Sequence, residues 1–113
     1  LDAALAKETG ARAVTAADAV RGRDLVIVTI PEKSIPALPK GLFADVPTHT
    51  VVVDTGNYYP KRDGRIAAIE AGTTESRWVS QQLGRPVVKA FNNIYAQHLL
   101  EGGRPRGGRG RRR

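Results

Sequence analysis

The 113-residue sequence contains no cysteine and no methionine. The lack of cysteine excludes disulfide bonds, thiolate metal sites and a cysteine nucleophile, and it fits a reducing compartment. No apolar run approaches the ~20 residues that a membrane-spanning helix needs. No signal-peptide pattern is visible, although an N-terminus cut before Leu1 would hide one. We therefore expect a soluble, cytoplasmic protein.

Basic charge is concentrated at one end of the chain. The formal net charge is +7, but six of the 18 basic residues are arginines within residues 104–113. Residues 1–103 hold the other 12 basic residues and all 11 acidic ones, so this part is close to neutral. The last ten residues contain no apolar side chain that could offset the entropy cost of ordering. We expect residues 104–113 to form a disordered Arg/Gly-rich tail.

Three apolar segments predict the strands of a parallel sheet. They read LVIVTI at 25–30, TVVVD at 50–54 and PVVKAF at 86–91. LVIVTI is apolar on both faces instead of alternating, so we expect both faces of this strand to be buried. A short strand at 11–14 and a helix at 15–22 precede it, which is the element order of a βαβ unit. The predicted fold class is α/β with a doubly wound parallel sheet.

Helices are predicted from capping residues and helix breakers. Thr15 opens a sequence with the spacing of a capping box, and Thr74 is placed to cap a helix through Leu83. Gly10 and Gly84 are placed to end helices. The candidate core contacts of the helix after Thr74 are Trp78, Val79 and Leu83. The predicted helices are residues 1–9, 15–22, 74–83 and 94–100, with a turn or short helix at 33–38 and a polar loop at 55–64.

Small or polar residues stand at the carboxyl end of each predicted strand. In open α/β sheets, ligands bind in the crevice beyond these ends, where helix N-termini and loop amides favour anionic groups. Strands also end in polar loops that bind nothing, but three such ends together favour a binding site. The candidate binding residues are Thr29, Ile30 and Pro31 at the first end, Thr55 and Asn57 at the second, and Lys89, Ala90, Asn92 and Asn93 at the third.

The segments around the strand ends carry a more specific signal. They read DLVIVTIP at 24–31, VDTGNYYP at 53–60 and VVKAFNNIY at 87–95. Their order and spacing resemble those of the deazaflavin (coenzyme F-420)-dependent NADP oxidoreductases and the dinucleotide-binding enzymes of the same family. The nucleotide-binding domain of the eukaryotic metalloreductases is also similar. The resemblance covers residues 1–103, and the VVKAFNNIYA run is its most specific part.

This resemblance implies a partial Rossmann-type NADP-binding domain in residues 1–103. NADP(H) would lie across the strand ends, and coenzyme F-420 or another flavin-like coenzyme would stack with the nicotinamide, so that hydride passes directly between the two rings. The protein would position the rings and exclude water without covalent chemistry. The expected partners are therefore a dinucleotide and a flavin-like coenzyme, with neither membrane nor nucleic acid, and we expect a homodimer for the full-length protein.

The sequence departs from the family pattern at both ends. The family opens with a strand, a G-x-G-x-x-G turn and a second strand that reads the NADP 2′-phosphate, and this sequence contains none of them. We therefore expect an oxidoreductase fragment that lacks the first phosphate-binding βαβ unit and is inactive by itself. Because the strand that reads the 2′-phosphate is missing, the sequence does not distinguish NADP from NAD. The Arg/Gly-rich tail does not resemble the family's continuation, and we favour an artefact over a functional tail.

Several single residues have two readings. Lys89 interrupts an apolar strand, where an unpaired charge is costly. It could pair with Asp54 or Glu32 or meet a ligand phosphate, and the resemblance favours the ligand. For Asn57 we favour a ligand contact, and for Asp54 a bond to its own turn. The residues expected to pack or to be solvated are Tyr58 and Tyr59 at the base of the loop, and Asp63 and Glu70 on the surface.

Other classes of function fit less well. His49 and His98 are isolated, which disfavours a metal site, and no serine has the context of a nucleophile elbow. A noncatalytic dinucleotide-binding domain remains an alternative to the oxidoreductase. Nucleic-acid binding through the arginines of the tail is a weaker alternative, because the near-neutral body offers no basic face.

Overall fold

The computed structural model describes residues 3–105 of the chain, as three strands, six α-helices and one 3-10 helix. The 3-10 helix confirms the turn expected near residues 33–38. The elements in chain order are α1 Ala3–Thr9, α2 Ala16–Val20, β1 Leu25–Val28, the 3-10 helix Glu32–Ala37, β2 Val51–Asp54, α3 Pro60–Asp63, α4 Ala67–Glu70, α5 Glu75–Leu83, β3 Val88–Lys89 and α6 Ala96–Glu101.

The strands form one parallel sheet in the order β1-β2-β3. In this sheet, Leu25 lies opposite Val51, and Asp54 lies between Val28 and Lys89 in the register of the three strands. All carboxyl ends therefore meet at one edge, because parallel strands run in the same direction. The α/β class and a partial Rossmann-like sheet are confirmed.

Local signals set the helix ends. The Thr15 side chain accepts a hydrogen bond from the Asp18 amide at 3.3 Å, and the Thr74 side chain accepts one from the Arg77 amide at the same distance. Each hydroxyl satisfies one of the amides that a helix start leaves without a partner. Gly84 has a φ of 72° and ends α5 in the left-handed region, where a glycine pays no Cβ penalty.

The hydrophobic core lies on one face of the sheet. Val28 and Val52 point towards the 3-10 helix and α5, which contribute Ile35, Trp78 and Val79. Val79 has no exposed surface and Val52 is only 2% exposed. This packing holds the 3-10 helix against the carboxyl ends of the strands, and so it positions the residues that follow β1.

The opposite face of the sheet is only partly covered. Four apolar side chains on this face are 45–53% exposed, namely Leu25, Ile27, Val51 and Val88. Val53, in the middle strand, is 8% exposed. The expectation that both faces of the first strand are buried is therefore wrong for the described residues. Both faces of a parallel strand are buried only where other elements pack on both faces of the sheet. Here the core cluster forms only on the face of Val28 and Val52.

Several predicted boundaries also differ. Residues 11–14 form no strand, because no described strand pairs with them, and β1 ends at Val28 rather than at residue 30. The third strand shrinks from 86–91 to Val88–Lys89, since only these two residues pair with β2. The predicted loop 55–64 contains α3, whose first residue is Pro60, a residue suited to a helix start.

A disordered tail was expected at residues 104–113. Residues 106–113 of this tail lie outside the described part of the chain. Arg104 is described, and its guanidinium donates to the carbonyls of Glu101 and Gly103 at 3.1 and 2.9 Å. Within residues 3–105, no helix has the length and the apolar character needed to cross a bilayer.

Two neighbouring valines test which face of the sheet is buried. We expect Val52→Ala to lower the free energy of unfolding by about 2 kcal/mol, because it removes two buried methyl groups and leaves a cavity. Val51→Ala is the matched control, since it makes the same change on the same strand but on the half-exposed face. Its cost should stay below about 1 kcal/mol. Urea denaturation measures both values, and equal losses would show that something covers the second face in solution.

Candidate functional site

Residues at the three strand ends contact one another. The Thr55 hydroxyl donates to the Thr29 hydroxyl at 3.0 Å, which connects the ends of β2 and β1. The Asn57 side-chain amide donates to the Asn92 carbonyl at 2.9 Å, which connects the loop after β2 to the loop after β3. The three segments that the sequence singled out therefore lie side by side at one edge of the sheet.

A cavity of about 260 Å³ lies over the ends of β1 and β2. It contains five of the predicted binding residues. A guanidinium, a glycine and an aromatic ring complete its wall. The lining residues are Thr29, Ile30, Pro31, Thr55 and Asn57, together with Gly56, Tyr59 and Arg62.

A second, larger cleft follows β3. Its volume is about 730 Å³, and it lies between the loop after β3 and α6. Three predicted residues, Ala90, Asn92 and Asn93, line it beside the half-exposed Phe91. Phe91 has a φ of 62°, a conformation that is strained for a residue with a Cβ and is concentrated at functional sites. The Asn57–Asn92 hydrogen bond lies between this cleft and the smaller cavity.

Lys89 is paired rather than free. Its ammonium group lies 3.0 Å from Glu75 Oε2 and 3.4 Å from Asp54 Oδ2, and its side chain is 20% exposed. Burial alone would lower the pKa of Lys89, but the hydrogen bond to Glu75 and the negative charge of Asp54 outweigh it and raise that pKa. Of the alternatives for Lys89, the structure shows the pairing with Asp54.

Asp54 makes the turn that was expected of it. Its Oδ1 accepts a hydrogen bond from the Gly56 amide at 2.9 Å, while its Oδ2 faces Lys89. The residue is 1% exposed. One buried carboxylate therefore holds both the loop after β2 and the lysine of β3.

Glu32 is buried without a partner. It has no exposed surface, and neither of its carboxyl oxygens has a hydrogen-bond partner among the described residues. Its Oε1 lies so close to Gly56 that a methyl group at position 56 would overlap it. Burial, and then the negative charge of Asp54, raise the pKa of Glu32 to about 7, although Lys89 partly opposes the shift.

Asp63 anchors the loop after β2, which corrects the expectation that it is solvated. Its side chain has no exposed surface and forms two hydrogen bonds of 2.9 Å with the Arg62 guanidinium. These bonds are the main reason that the pKa of Asp63 is lowered to about 2. Arg62 also donates to the Asn57 carbonyl at 2.6 Å and lies 5.1 Å from the centre of the Tyr59 ring.

Tyr58 packs at the base of this loop. Its hydroxyl donates to the exposed Glu70 at 2.7 Å and accepts from the Ile66 amide at 3.0 Å. The Tyr58 amide donates to Glu75 Oε1 at 3.1 Å. The ring is thus held by its own neighbours, as the packing interpretation predicted.

Sequence reasoning missed two residues of the site, Glu75 and Arg62. Glu75 is the first residue of α5, a common position for a carboxylate, so nothing in its local sequence signals the contact with Lys89. Arg62 lies among several polar residues of a loop. The sequence offered Glu32 as a partner for Lys89, whereas the structure buries Glu32 and leaves both of its carboxyl oxygens without a hydrogen-bond partner among the described residues. Within residues 3–105, no group of three His, Asp or Glu residues could hold a metal ion.

Glu32 makes the stability of the fold depend on pH. The pKa of Glu32 is about 7 in the folded chain against 4.5 for the free group, so the folded state holds this proton more tightly. The stabilisation is complete below pH 4.5 and is lost as the pH rises to 7. We expect the free energy of unfolding to fall by about 3 kcal/mol over that range and to level off above it.

Urea denaturation at a series of pH values measures this loss. Asp63 contributes little to it, because both its folded pKa of about 2 and its usual value of 3.8 lie below this range, so the group is mostly ionised in both states. Glu32→Gln should abolish the loss, whereas Glu8→Gln, at an exposed position of α1, should retain it. A loss of the same size in Glu32→Gln would assign the pH dependence to another group.

Comparison with known proteins shows the family to which the chain belongs. The family model described as NADP oxidoreductase, coenzyme F420-dependent, matches residues 2–58. The match contains α1, α2, both longer strands and the start of the loop after β2, whereas the VVKAFNNIYA run lies beyond it. No curated protein and no solved structure matches the chain. The description of the family indicates NADP-linked oxidoreductase function. Because the family model covers half of the sequence, the chain belongs to the family of coenzyme F420-dependent NADP oxidoreductases.

Proposed function

We propose that this chain takes part in hydride transfer between NADP(H) and a deazaflavin or flavin-like coenzyme. The observation that carries the proposal is the adjacency of two cavities at the carboxyl edge of the sheet, joined by the Asn57–Asn92 hydrogen bond. Hydride transfer needs two rings in direct contact, and two neighbouring cavities suit that requirement. Membership of the family supports the same reaction.

The nicotinamide half of the dinucleotide is assigned to the smaller cavity. Its wall offers hydroxyl groups from Thr29 and Thr55 and the amide group of Asn57, which suit a ribose and a carboxamide. Arg62 adds positive charge that favours an anionic ligand, although its pairing with Asp63 reduces that charge. Ile30 and Pro31 offer apolar contact for a ring.

The second coenzyme is assigned to the larger cleft. A volume of about 730 Å³ falls in the range of small-molecule sites, roughly 300–1,000 Å³. Phe91 offers an aromatic face, and Asn92 and Asn93 offer both donors and acceptors for the polar edge of a ring. Ala90 leaves space beside them.

The residues of this chain would orient and shield the two rings rather than react with them. NADP and the second coenzyme supply the hydride chemistry when they are bound. Asn57 fixes the distance between the cavities because it is bonded to the Asn92 carbonyl. Lys89 is bonded to two carboxylates, so its contribution to binding is the charge that it brings to the edge of the sheet and not a free ammonium group.

Titration with NADP⁺, followed by the amide resonances of the labelled protein, tests the first assignment. We expect the largest shifts at residues 29–31 and 55–57. The affinity should be weak, because no G-x-G-x-x-G turn is present to hold the pyrophosphate. Asn57→Ala should weaken binding about fivefold through the loss of one side-chain hydrogen bond. Gln81→Ala, at an exposed position of α5, is the control. Sub-micromolar affinity, or shifts confined to other residues, would contradict the assignment.

Hydride transfer itself is tested with NADPH and an oxidised deazaflavin. If the proposal is correct and both coenzymes are supplied well above their weak affinities, NADPH absorbance should fall faster with protein than without it. This result would overturn the expectation, drawn from the missing G-x-G-x-x-G turn, that the chain is inactive by itself. Asn92→Ala and Asn93→Ala should reduce the rate more than they weaken NADP⁺ binding, because both residues line the second cleft. Binding of both coenzymes with no rate above the protein-free control would favour a noncatalytic dinucleotide-binding domain.

A further inference from the structure

Glu32 stands out among the buried polar groups of the described chain. It begins the 3-10 helix directly after the strand end, has no exposed surface and has no hydrogen-bond partner for either carboxyl oxygen among residues 3–105. Buried polar groups in proteins are almost always hydrogen-bonded, so an exception calls for a physical reason. Its Oε1 lies against Gly56, in the middle of the loop that lines the smaller cavity.

The surroundings of Glu32 hold more negative than positive charge. Both nearby cations are already engaged, Lys89 by two carboxylates and Arg62 by Asp63. Burial is the main reason that the pKa of the Glu32 carboxyl is raised, and the lack of a free counterion for an ionised Glu32 adds to that shift. The charged groups that act on Glu32 are Asp54 of β2, Lys89 of β3, Glu75 of α5, and Asp63 and Arg62 of α3.

Asp54 is the carboxylate that lies beside Glu32 beneath the loop. A methyl group added at Gly56 would lie 3.1 Å from Asp54 Oδ1 and would overlap Glu32 Oε1, so both carboxyl groups occupy the same small space beneath the loop. Asp54 Oδ1 accepts the Gly56 amide, so the position of the loop depends on the carboxylate that an ionised Glu32 would repel.

We propose that Glu32 is a positioning residue whose carboxyl is neutral beneath Gly56 and so lets Asp54 hold the Thr55–Asn57 loop in the form that binds an anionic dinucleotide. This inference rests on the proposed function. When Glu32 ionises, two like charges face each other beneath Gly56. Binding then weakens, and a ligand that binds at neutral pH takes up a proton, because binding favours the neutral form.

The test compares NAD⁺ binding at pH 6 and pH 8 in the native chain and in Glu32→Gln. NAD⁺ is the probe because it lacks the phosphomonoester of NADP⁺, which itself titrates near pH 6. We expect the native chain to bind about fivefold more weakly at pH 8, from the added charge near the site. Glu32→Gln should bind equally at both pH values, because the amide remains neutral. Glu8→Gln should show the native pH dependence.

A pH titration without ligand tests the role of Glu32 even if the chain binds NAD⁺ too weakly to measure. The amide resonance of Gly56 should titrate with a midpoint near the Glu32 pKa of about 7, and this titration should be absent in Glu32→Gln. As a second variant, Gly56→Ala should lose binding at both pH values, since its methyl group collides with the Glu32 carboxyl.

The possible failures are distinguishable. If NAD⁺ binds but Glu32→Gln keeps the native pH dependence, the role of Glu32 is overturned and the proposed function stands. If the Gly56 resonance does not titrate between pH 5 and pH 9, the proton is not on Glu32 and the inference is overturned. If Gly56 titrates but neither NAD⁺ nor NADP⁺ causes shifts at residues 55–57 at either pH, the proposed function and the positioning role both fail.

Discussion

The buried carboxylate of Asp54 organises the functional end of the molecule. One of its oxygens accepts the Gly56 amide at 2.9 Å, and the other faces the Lys89 ammonium at 3.4 Å. The residue is 1% exposed, and a buried charge that loses its partners costs several kcal/mol. The turn after β2 and the position of the β3 side chain therefore depend on the same group. The shape of the Thr55–Asn57 loop therefore depends on Asp54.

Lys89 connects the buried Asp54 to the start of α5. Because its ammonium group is shared by Asp54 and Glu75, it connects β2, β3 and the start of α5. Glu75 also accepts the Tyr58 amide and so holds the far side of the loop. Two carboxylates around one lysine leave the cluster negative. This surplus of negative charge adds to the effect of burial, which is the main reason that the pKa of Glu32 is raised.

The hydrophobic core and the candidate site lie in different parts of the molecule. Val52 and Val79 are buried in the core on one face, whereas Ile27 and Val51 on the other face are about half exposed. The candidate cavities lie at neither face but at the carboxyl edge, where loops leave the strands. Their side chains can thus differ from those of the core without loss of packing, which is the usual arrangement in open α/β sheets. The strained backbone of Phe91 lies at this edge as well.

The sequence by itself determined the elements that depend on local interactions. Thr15 and Thr74 cap their helices, Gly84 ends α5, and β1 and β2 begin within one residue of their apolar runs, because each signal acts within a few residues. The polar strand ends and the family resemblance followed from the same short segments.

Only the tertiary structure decided which charges meet and which faces are covered. Glu75 and Lys89 are 14 residues apart, and Lys89 and Asp54 are 35 apart, so no local pattern could reveal their pairing. The burial of Glu32 depends on the packing of the 3-10 helix against the strand ends. Exposure of the second sheet face likewise depends on which elements pack there, and an apolar strand has the same sequence whether or not it is covered.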